Sequence, residues 1–313
     1  MKKLLVLGVS GLTGYKIAQQ SFAKFDVYGI YNTRPIKLNE GTFTQLNISD
    51  SEQLSQYFSE IQPDIVINTT ALHNVDYCEE NPQETFRINS EAVKNIQKYS
   101  NRYGSKFVHI STDYVFDGSK QIPYKESDMP VPLSEYGRSK LQGEKFPLDS
   151  DGVVIRPSVV YGWTPFELSG TTSSSGKPMN FAIWLLSKLN KNEKLSIVTD
   201  QFSTATLADT LAKSAIKLAE GNKTGLFHVS GLSCESRYEF SVKFAKKFGY
   251  EENQIIPIDS SKFKQKAKRP SYSCLDCTKA RDIGLELLNT EDSLNVMKSQ
   301  VEEEAPHLLG KKV

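Results

Sequence analysis

Leu4-Leu-Val-Leu7 runs straight into Gly8-Val-Ser-Gly11-Leu-Thr-Gly14, and a helical pattern beginning Tyr15-Lys-Ile-Ala follows. The apolar run reads as a buried strand. The glycines turn the chain into a helix start, whose free N–H groups and positive dipole end suit a phosphate. Gly8 permits the tight turn, Gly11 lets backbone approach a pyrophosphate, and Gly14 lets helix pack on strand. The spacing is three and three, not the two and three of the common dinucleotide fingerprint. Met1-Lys2-Lys3 before an apolar run also resembles a secretory leader, but three glycines interrupt the run and no small-residue cleavage site follows.

Strand-like and helix-like runs then alternate. Val27–Tyr31, Asp64–Asn68, Phe107–Ser111 and Val153–Arg156 read as strands. Ser49-x-x-Glu52 reads as a capping box opening a helix, and another helix reaches about Tyr103. Strands separated by helices imply right-handed crossovers and a parallel sheet. The expected fold is α/β: a Rossmann-type doubly wound sheet over residues 1–162, joined by part of 195–230. Most of 163–313 is expected to form a smaller mixed α/β substrate-binding lobe. Ligands of such sheets bind beyond the carboxyl ends of the strands, so Gly8, Thr69, Thr70, Ser111, Thr112 and Val159 should line one crevice. The Ser/Thr/Gly-rich stretch 167–178 reads either as a connector or as a cover over that crevice.

Composition narrows the class. No apolar run reaches the roughly 18 residues that span a bilayer. The net charge is +1 without a basic block, which gives no reason to expect nucleic acid or an anionic membrane as partner. Four cysteines, at 78, 234, 274 and 277, are too few for a disulfide scaffold, so a reducing cytoplasm is expected. Cys274-x-x-Cys277 lacks a second pair or a nearby histidine, and no metal is expected.

Tyr136 precedes Lys140 by four residues, which puts both on one helix face. A tyrosine pKa of about 10 makes a poor proton relay at neutral pH. A nearby ammonium favours the phenolate, and a hydroxyl can share the proton, as Thr112 in Ser111-Thr112-Asp113 would. Alone, such a pair is ordinary surface. Third in a series of nucleotide-binding signals, it reads as chemistry. Of the scattered histidines, His109 reads as a strand or core residue.

Gly8-x-x-Gly11-x-x-Gly14, Ser111-Thr-Asp-Tyr-Val-Phe116, Pro132-Leu-x-x-Tyr136-Gly-x-x-Lys140 and Arg269-Pro together resemble the extended short-chain dehydrogenase/reductases. Within them the chain is similar to the dTDP-4-dehydrorhamnose reductases, and to the related methionine adenosyltransferase beta subunits. The resemblance implies an NADPH-dependent reductase of a nucleotide-linked 4-keto-6-deoxy sugar, or alternatively a cofactor-binding regulatory subunit partnered by a methionine adenosyltransferase. A homodimer is compatible with either. It implies that Tyr136 protonates a sugar ketone oxygen, that Lys140 holds the nicotinamide ribose and lowers the Tyr136 pKa, and that Thr112 hydrogen-bonds the reacting oxygen. Asp113 would sit beside the sugar. Ser10, Gly11, Leu12, Thr13, Thr70, Ala71 and Leu72 match positions that contact the dinucleotide.

Two departures bear on the substrate. Val159 stands where those reductases usually place a tryptophan against the sugar, and Asp200-Gln201 continues as Phe-Ser-Thr-Ala-Thr206 without the usual glycine and proline. Thr112-Asp113-Tyr114 lacks the adjacent Asp and Glu of a 4,6-dehydratase. At the end of the second strand, Tyr31-Asn-Thr-Arg34 offers no carboxylate to the ribose and one guanidinium instead. That favours NADP over NAD, with NADH still able to serve.

Overall fold

The computed structural model describes residues 1–36, 38–165, 180–263 and 265–310. Seven strands form one parallel sheet: β1 (Lys2–Leu7), β2 (Phe25–Tyr31), β3 (Thr42–Gln45), β4 (Ile65–Asn68), β5 (Lys106–Ile110), β6 (Val153–Arg156) and β7 (Gly225–His228). Their order across the sheet is β7-β6-β5-β4-β1-β2-β3, so the chain reverses direction of travel beside β1. Ligands gather at such a switch point. The central strands are buried on both faces, which is why their sequences are apolar runs and not alternations.

Helices cover both faces. On one, α1 (Leu12–Ser21) packs with α6 (Ala208–Glu220) over Leu4, Val6 and Ile67. On the other, α2 (Ser51–Ile61) and α3 (Ala92–Tyr103) press Leu54, Phe58 and Ile96 onto Leu5, Leu7 and Phe107. α4 (Glu135–Leu148) packs against β6 and α3. A separate apolar cluster joins α5 (Phe181–Leu189), α7 (Arg237–Phe248) and α8 (Thr290–Glu304) around a parallel pair of short strands, Leu195–Val198 and Ile255–Ile258.

The structure refines several expectations. Asp50, not Ser49, caps α2: its carboxylate accepts from the Glu52 and Gln53 amides. A carboxylate caps a helix as well as a hydroxyl and adds charge at the positive dipole end. Val160–Tyr161 leaves the main sheet and pairs with Thr206–Leu207. The stretch 167–178 lies outside the described residues. The Cys274-x-x-Cys277 motif is split: Cys274 is disulfide-bonded to Cys234, 40 residues away, while Cys277 is buried beside the Ser230 hydroxyl at 3.2 Å. Four cysteines thus include one bridge that their number and spacing did not announce. Among the described residues, no helix is long and apolar enough to cross a membrane, and no cluster of His, Cys, Asp and Glu is arranged to hold a metal ion.

Candidate active site

At the carboxyl end of β1 the backbone of Gly8 takes φ +83°, and a Cβ there would lie 2.8 Å from the Thr69 hydroxyl oxygen. That combination excludes other residues from the turn. Beyond it opens a cavity of about 260 Å³ lined by Gly8, Ser10, Gly11, Leu12 and Arg34, with Thr70, Ala71 and Leu72 on its far wall. Gly14 does not line it. A Cβ there would stand 2.3 Å from the Gly8 carbonyl oxygen, so Gly14 serves the close approach of α1 to the turn. The Arg34 guanidinium donates to the Ser10 carbonyl, so the positive charge sits at the turn where a ribose phosphate would be read. A glycine turn with a guanidinium and no carboxylate at the end of β2 fits NADP.

A second, larger cavity of about 840 Å³ adjoins the first and shares Gly11, Leu12, Thr69, Ala71 and His73 with it. Thr13, Thr112, Asp113, Tyr136, Lys140 and Val159 all line it. Tyr136 and Lys140 are delivered by α4, whose start is fixed by the Ser134 hydroxyl accepting from the Gly137 amide at 3.2 Å. Ser111 and Thr112 leave the end of β5 and diverge. The Ser111 hydroxyl turns away and donates to Glu144 at 2.5 Å. Thr112 stays in the cavity, hydrogen-bonded to the Tyr136 phenol.

The electrostatics differ from the expectation in one respect. Burial raises the pKa of Tyr136, with the Thr112 hydrogen bond only partly opposing it, so the phenol is fully protonated at neutral pH. Lys140 does not lower it here. Its amine donates to the Ile110 carbonyl at 2.7 Å and lies 3.3 Å from Nε2 of His109. Burial lowers Lys140 itself to about 8, against the pull of Glu144. Asp113 is buried and its pKa is raised by burial, while three hydroxyls satisfy it: Ser158 at 2.7 Å, Ser273 at 2.6 Å and Thr112 at 3.2 Å. Val159 adopts φ +43° at the cavity wall, a conformation a β-branched residue rarely takes and one that clusters at functional sites.

Sequence reasoning missed several wall residues. Arg237, the first residue of α7, lies over the Phe181 ring at 5.0 Å, hydrogen-bonds to Tyr114 and faces the large cavity. Phe181 and Trp184 of α5 stack at 5.7 Å on the same wall. Arg269 is anchored by a two-pronged contact with Asp76 at 2.9 and 3.0 Å. The Ser236/Glu239 capping box could have announced the start of α7. Nothing local places that start opposite Tyr136, a hundred residues upstream.

Residues 1–302 match the family described as the RmlD substrate binding domain. A probable low-salt glycan biosynthesis reductase, Agl14, of Haloferax volcanii is 32% identical, over 94% of this chain and 96% of its own. The methionine adenosyltransferase 2 subunit beta of Bos taurus is 30% identical, over 91% of this chain and 83% of its own. The crystal structure of a dTDP-4-dehydrorhamnose reductase from Bacillus anthracis in complex with NADP superposes with a TM-score of 0.82, at 27% identity, covering 96% of this chain and all of that one (100%). A match over nearly the whole length, together with relatives above 30% identity, shows that the chain belongs to the RmlD substrate binding domain family.

Proposed function

We propose that this protein is an NADPH-dependent reductase of a nucleotide-linked 4-keto-6-deoxy sugar, with dTDP-4-dehydro-L-rhamnose as substrate and dTDP-L-rhamnose as product. At the coarser level it is an NAD(P)-dependent oxidoreductase of its family. The observation that carries the reading is the meeting of Tyr136, Thr112 and Lys140 in a cavity that adjoins the glycine-lined one and shares Gly11 and Leu12 with it.

The turn at Gly8 and Gly11 and the guanidinium of Arg34 would hold NADPH, which supplies a hydride to the sugar carbonyl when bound. Negative charge then grows on the carbonyl oxygen, and a donor placed for that oxygen helps most in the transition state. Tyr136, kept protonated by burial, suits the role of donor. The proton passes from its hydroxyl to the alkoxide, and Thr112 hydrogen-bonds the same oxygen. The phenolate left behind lies one helical turn from Lys140. Arg237 lines the same cavity and offers a guanidinium to an anionic group such as a diphosphate. Such a reaction feeds deoxysugar and polysaccharide synthesis.

The test is NADPH oxidation by purified protein supplied with dTDP-4-dehydro-L-rhamnose made in situ. Rapid, Tyr136-dependent consumption supports the reading. Tight NADPH binding without consumption of this or related keto sugars overturns it. Capture of a methionine adenosyltransferase would then favour a regulatory subunit, as in the bovine relative's name.

A further inference from the structure

Beneath the cavity wall, three polar side chains from three elements form a buried line: Asn68 at the end of β4, His109 on β5 and Lys140 on α4. All three are almost wholly inaccessible to solvent. Asn68 Nδ2 lies 3.1 Å from Nδ1 of His109, and Nε2 of the same ring lies 3.3 Å from the Lys140 amine. The direction of the hydrogen bonds along this line follows from one backbone group. The amide N–H of Thr70 can only donate, and it meets Oδ1 of Asn68 at 3.0 Å. The Thr70 hydroxyl meets the same oxygen. The Asn68 side chain is therefore oriented with its NH₂ toward His109, and Nδ1 of the ring accepts.

A neutral imidazole carries one donor and one acceptor. Burial holds His109 neutral, with the Lys140 charge acting in the same direction. With Nδ1 accepting, the ring proton sits on Nε2 and points at the Lys140 amine. An ammonium has three donors and no lone pair, so it can only oppose that N–H; a neutral amine accepts it. The amine keeps a donor for the Ile110 carbonyl at 2.7 Å in either form. The alternative ring tautomer would set its Nδ1–H against the Asn68 NH₂, and turning that amide over would set NH₂ against the Thr70 N–H. Every arrangement with a charged lysine leaves one donor facing another in a buried site, where such a mismatch is costly.

We infer that His109 is a positioning residue: held by Asn68 with its proton on Nε2, it donates to the Lys140 amine and disfavours the ammonium in the cofactor-free protein. Binding of NADPH, which offers the amine ribose hydroxyls as acceptors, is then accompanied by uptake of a proton from solvent onto Nζ. This second step rests on the reading that Lys140 meets the cofactor.

The surrounding charges do not remove the effect. Glu144, one turn along α4, favours the ammonium, but its carboxylate is already shared with Arg156 of β6 and with Ser111. Tyr136 is a protonated phenol, the Cys78 thiol is pushed up by burial, and Asp113 is occupied by three hydroxyls. The opposite face of β5 presents Val108 and Ile110 to an apolar cluster, and Lys106 at the start of the strand donates to the Lys223 carbonyl. The lowering of Lys140 to about 8 by burial acts in the same direction as the hydrogen-bond wiring.

The first test uses the wild-type protein alone. Nitrogen-15 spectra of the His109 ring should show protonated Nε2 and unprotonated Nδ1, and a proton on Nδ1 instead would overturn the inference. The second follows the NADPH dissociation constant from pH 7 to 9.5, with proton uptake read by calorimetry in buffers of different ionisation enthalpy. Affinity should fall about tenfold per pH unit above the Lys140 midpoint. Asn68→Asp, a near-isosteric change that makes the Asn68 position an acceptor on both atoms, should move the ring proton to Nδ1. The midpoint should then rise by at least one pH unit, and proton uptake near pH 8.5 should fall to about a third or less. His109→Leu, which removes the donor, should shift the midpoint the same way. Identical midpoints in wild type and a folded variant would overturn the inference. Lys140→Met separates the readings. If it leaves NADPH affinity unchanged, Lys140 does not meet the cofactor. If it weakens binding while the midpoints coincide, only the role of His109 falls.

Discussion

Glu144 on α4 and Arg156 on β6 form a two-pronged ion pair, 2.6 and 2.8 Å, buried beneath the helix that carries Tyr136. Ser111 donates to the same carboxylate, so one acidic side chain ties the helix, the sheet and the start of the Thr112 turn together. Breaking such a pair leaves an uncompensated buried charge. Glu144→Ala should cost about 3–5 kcal/mol of unfolding free energy. The double variant Glu144→Leu/Arg156→Met should recover a large part of it. Urea denaturation of both proteins checks this, and a single variant with wild-type stability would show that the pair bears no such load.

Proton donation and cofactor binding should separate at the level of single residues. Tyr136→Phe should keep NADPH affinity within about twofold while turnover falls by about 10²–10⁴, the usual range for a lost general acid. Lys140→Met should weaken both. Steady-state kinetics beside fluorescence titration of NADPH distinguishes the two patterns. Wild-type turnover in Tyr136→Phe would exclude the phenol as donor.

Arg34 should decide the choice between the two nicotinamide cofactors. It is the guanidinium at the end of β2, seated against the Ser10 carbonyl on the wall of the smaller cavity. Arg34→Ala should weaken NADPH by about tenfold or more, the worth of a charge-assisted hydrogen bond, and leave NADH nearly unaffected. Equal losses for both cofactors would mean that Arg34 supports the turn without reading the phosphate.

Acid should destabilise the fold through His228. Burial, reinforced by the Arg156 charge, lowers its pKa to about 3, and its Nδ1 donates to the Tyr124 carbonyl at 3.0 Å. A folded pKa below the unfolded value of about 6.5 means the unfolded chain binds more protons between those limits. The contribution of His228 is therefore complete above pH 6.5 and lost as pH falls, by up to about 1.4 kcal/mol per pH unit. His109 acts with the same sign. Urea midpoints at pH 7 and pH 5 should differ more in the wild type than in His228→Gln. Parallel pH dependence in the two proteins would rule out His228 as a source of acid lability.

The glycine turn, the apolar runs of the sheet and the Tyr136/Lys140 spacing were legible because each is local. A turn needing positive φ, a strand buried on both faces and two residues one helical turn apart are all specified within a few positions. Their convergence on one crevice also followed from sequence, since parallel strands deliver their carboxyl ends to the same side. The cap of α2 was misplaced by one residue because Ser49 and Asp50 both suit the role, and only backbone geometry chooses between them.

Other features were decided by tertiary structure alone. Ser111 and Thr112 are adjacent in sequence, yet one is turned to Glu144 and the other to Tyr136. Arg237 reaches the cavity because α7 packs in a separate apolar cluster from the sheet, and Cys234 meets Cys274 across 40 residues. The protonation of Tyr136, Lys140 and His109 belongs here as well. A residue type and its spacing fix which groups are available, whereas pKa depends on burial and on partners brought from distant segments. The sequence by itself determined the sheet, the turn and the side chains available as candidates for the chemistry, through backbone rules that act over a few residues. Packing decided the charge each side chain carries, because desolvation exists only once the chain has closed around it.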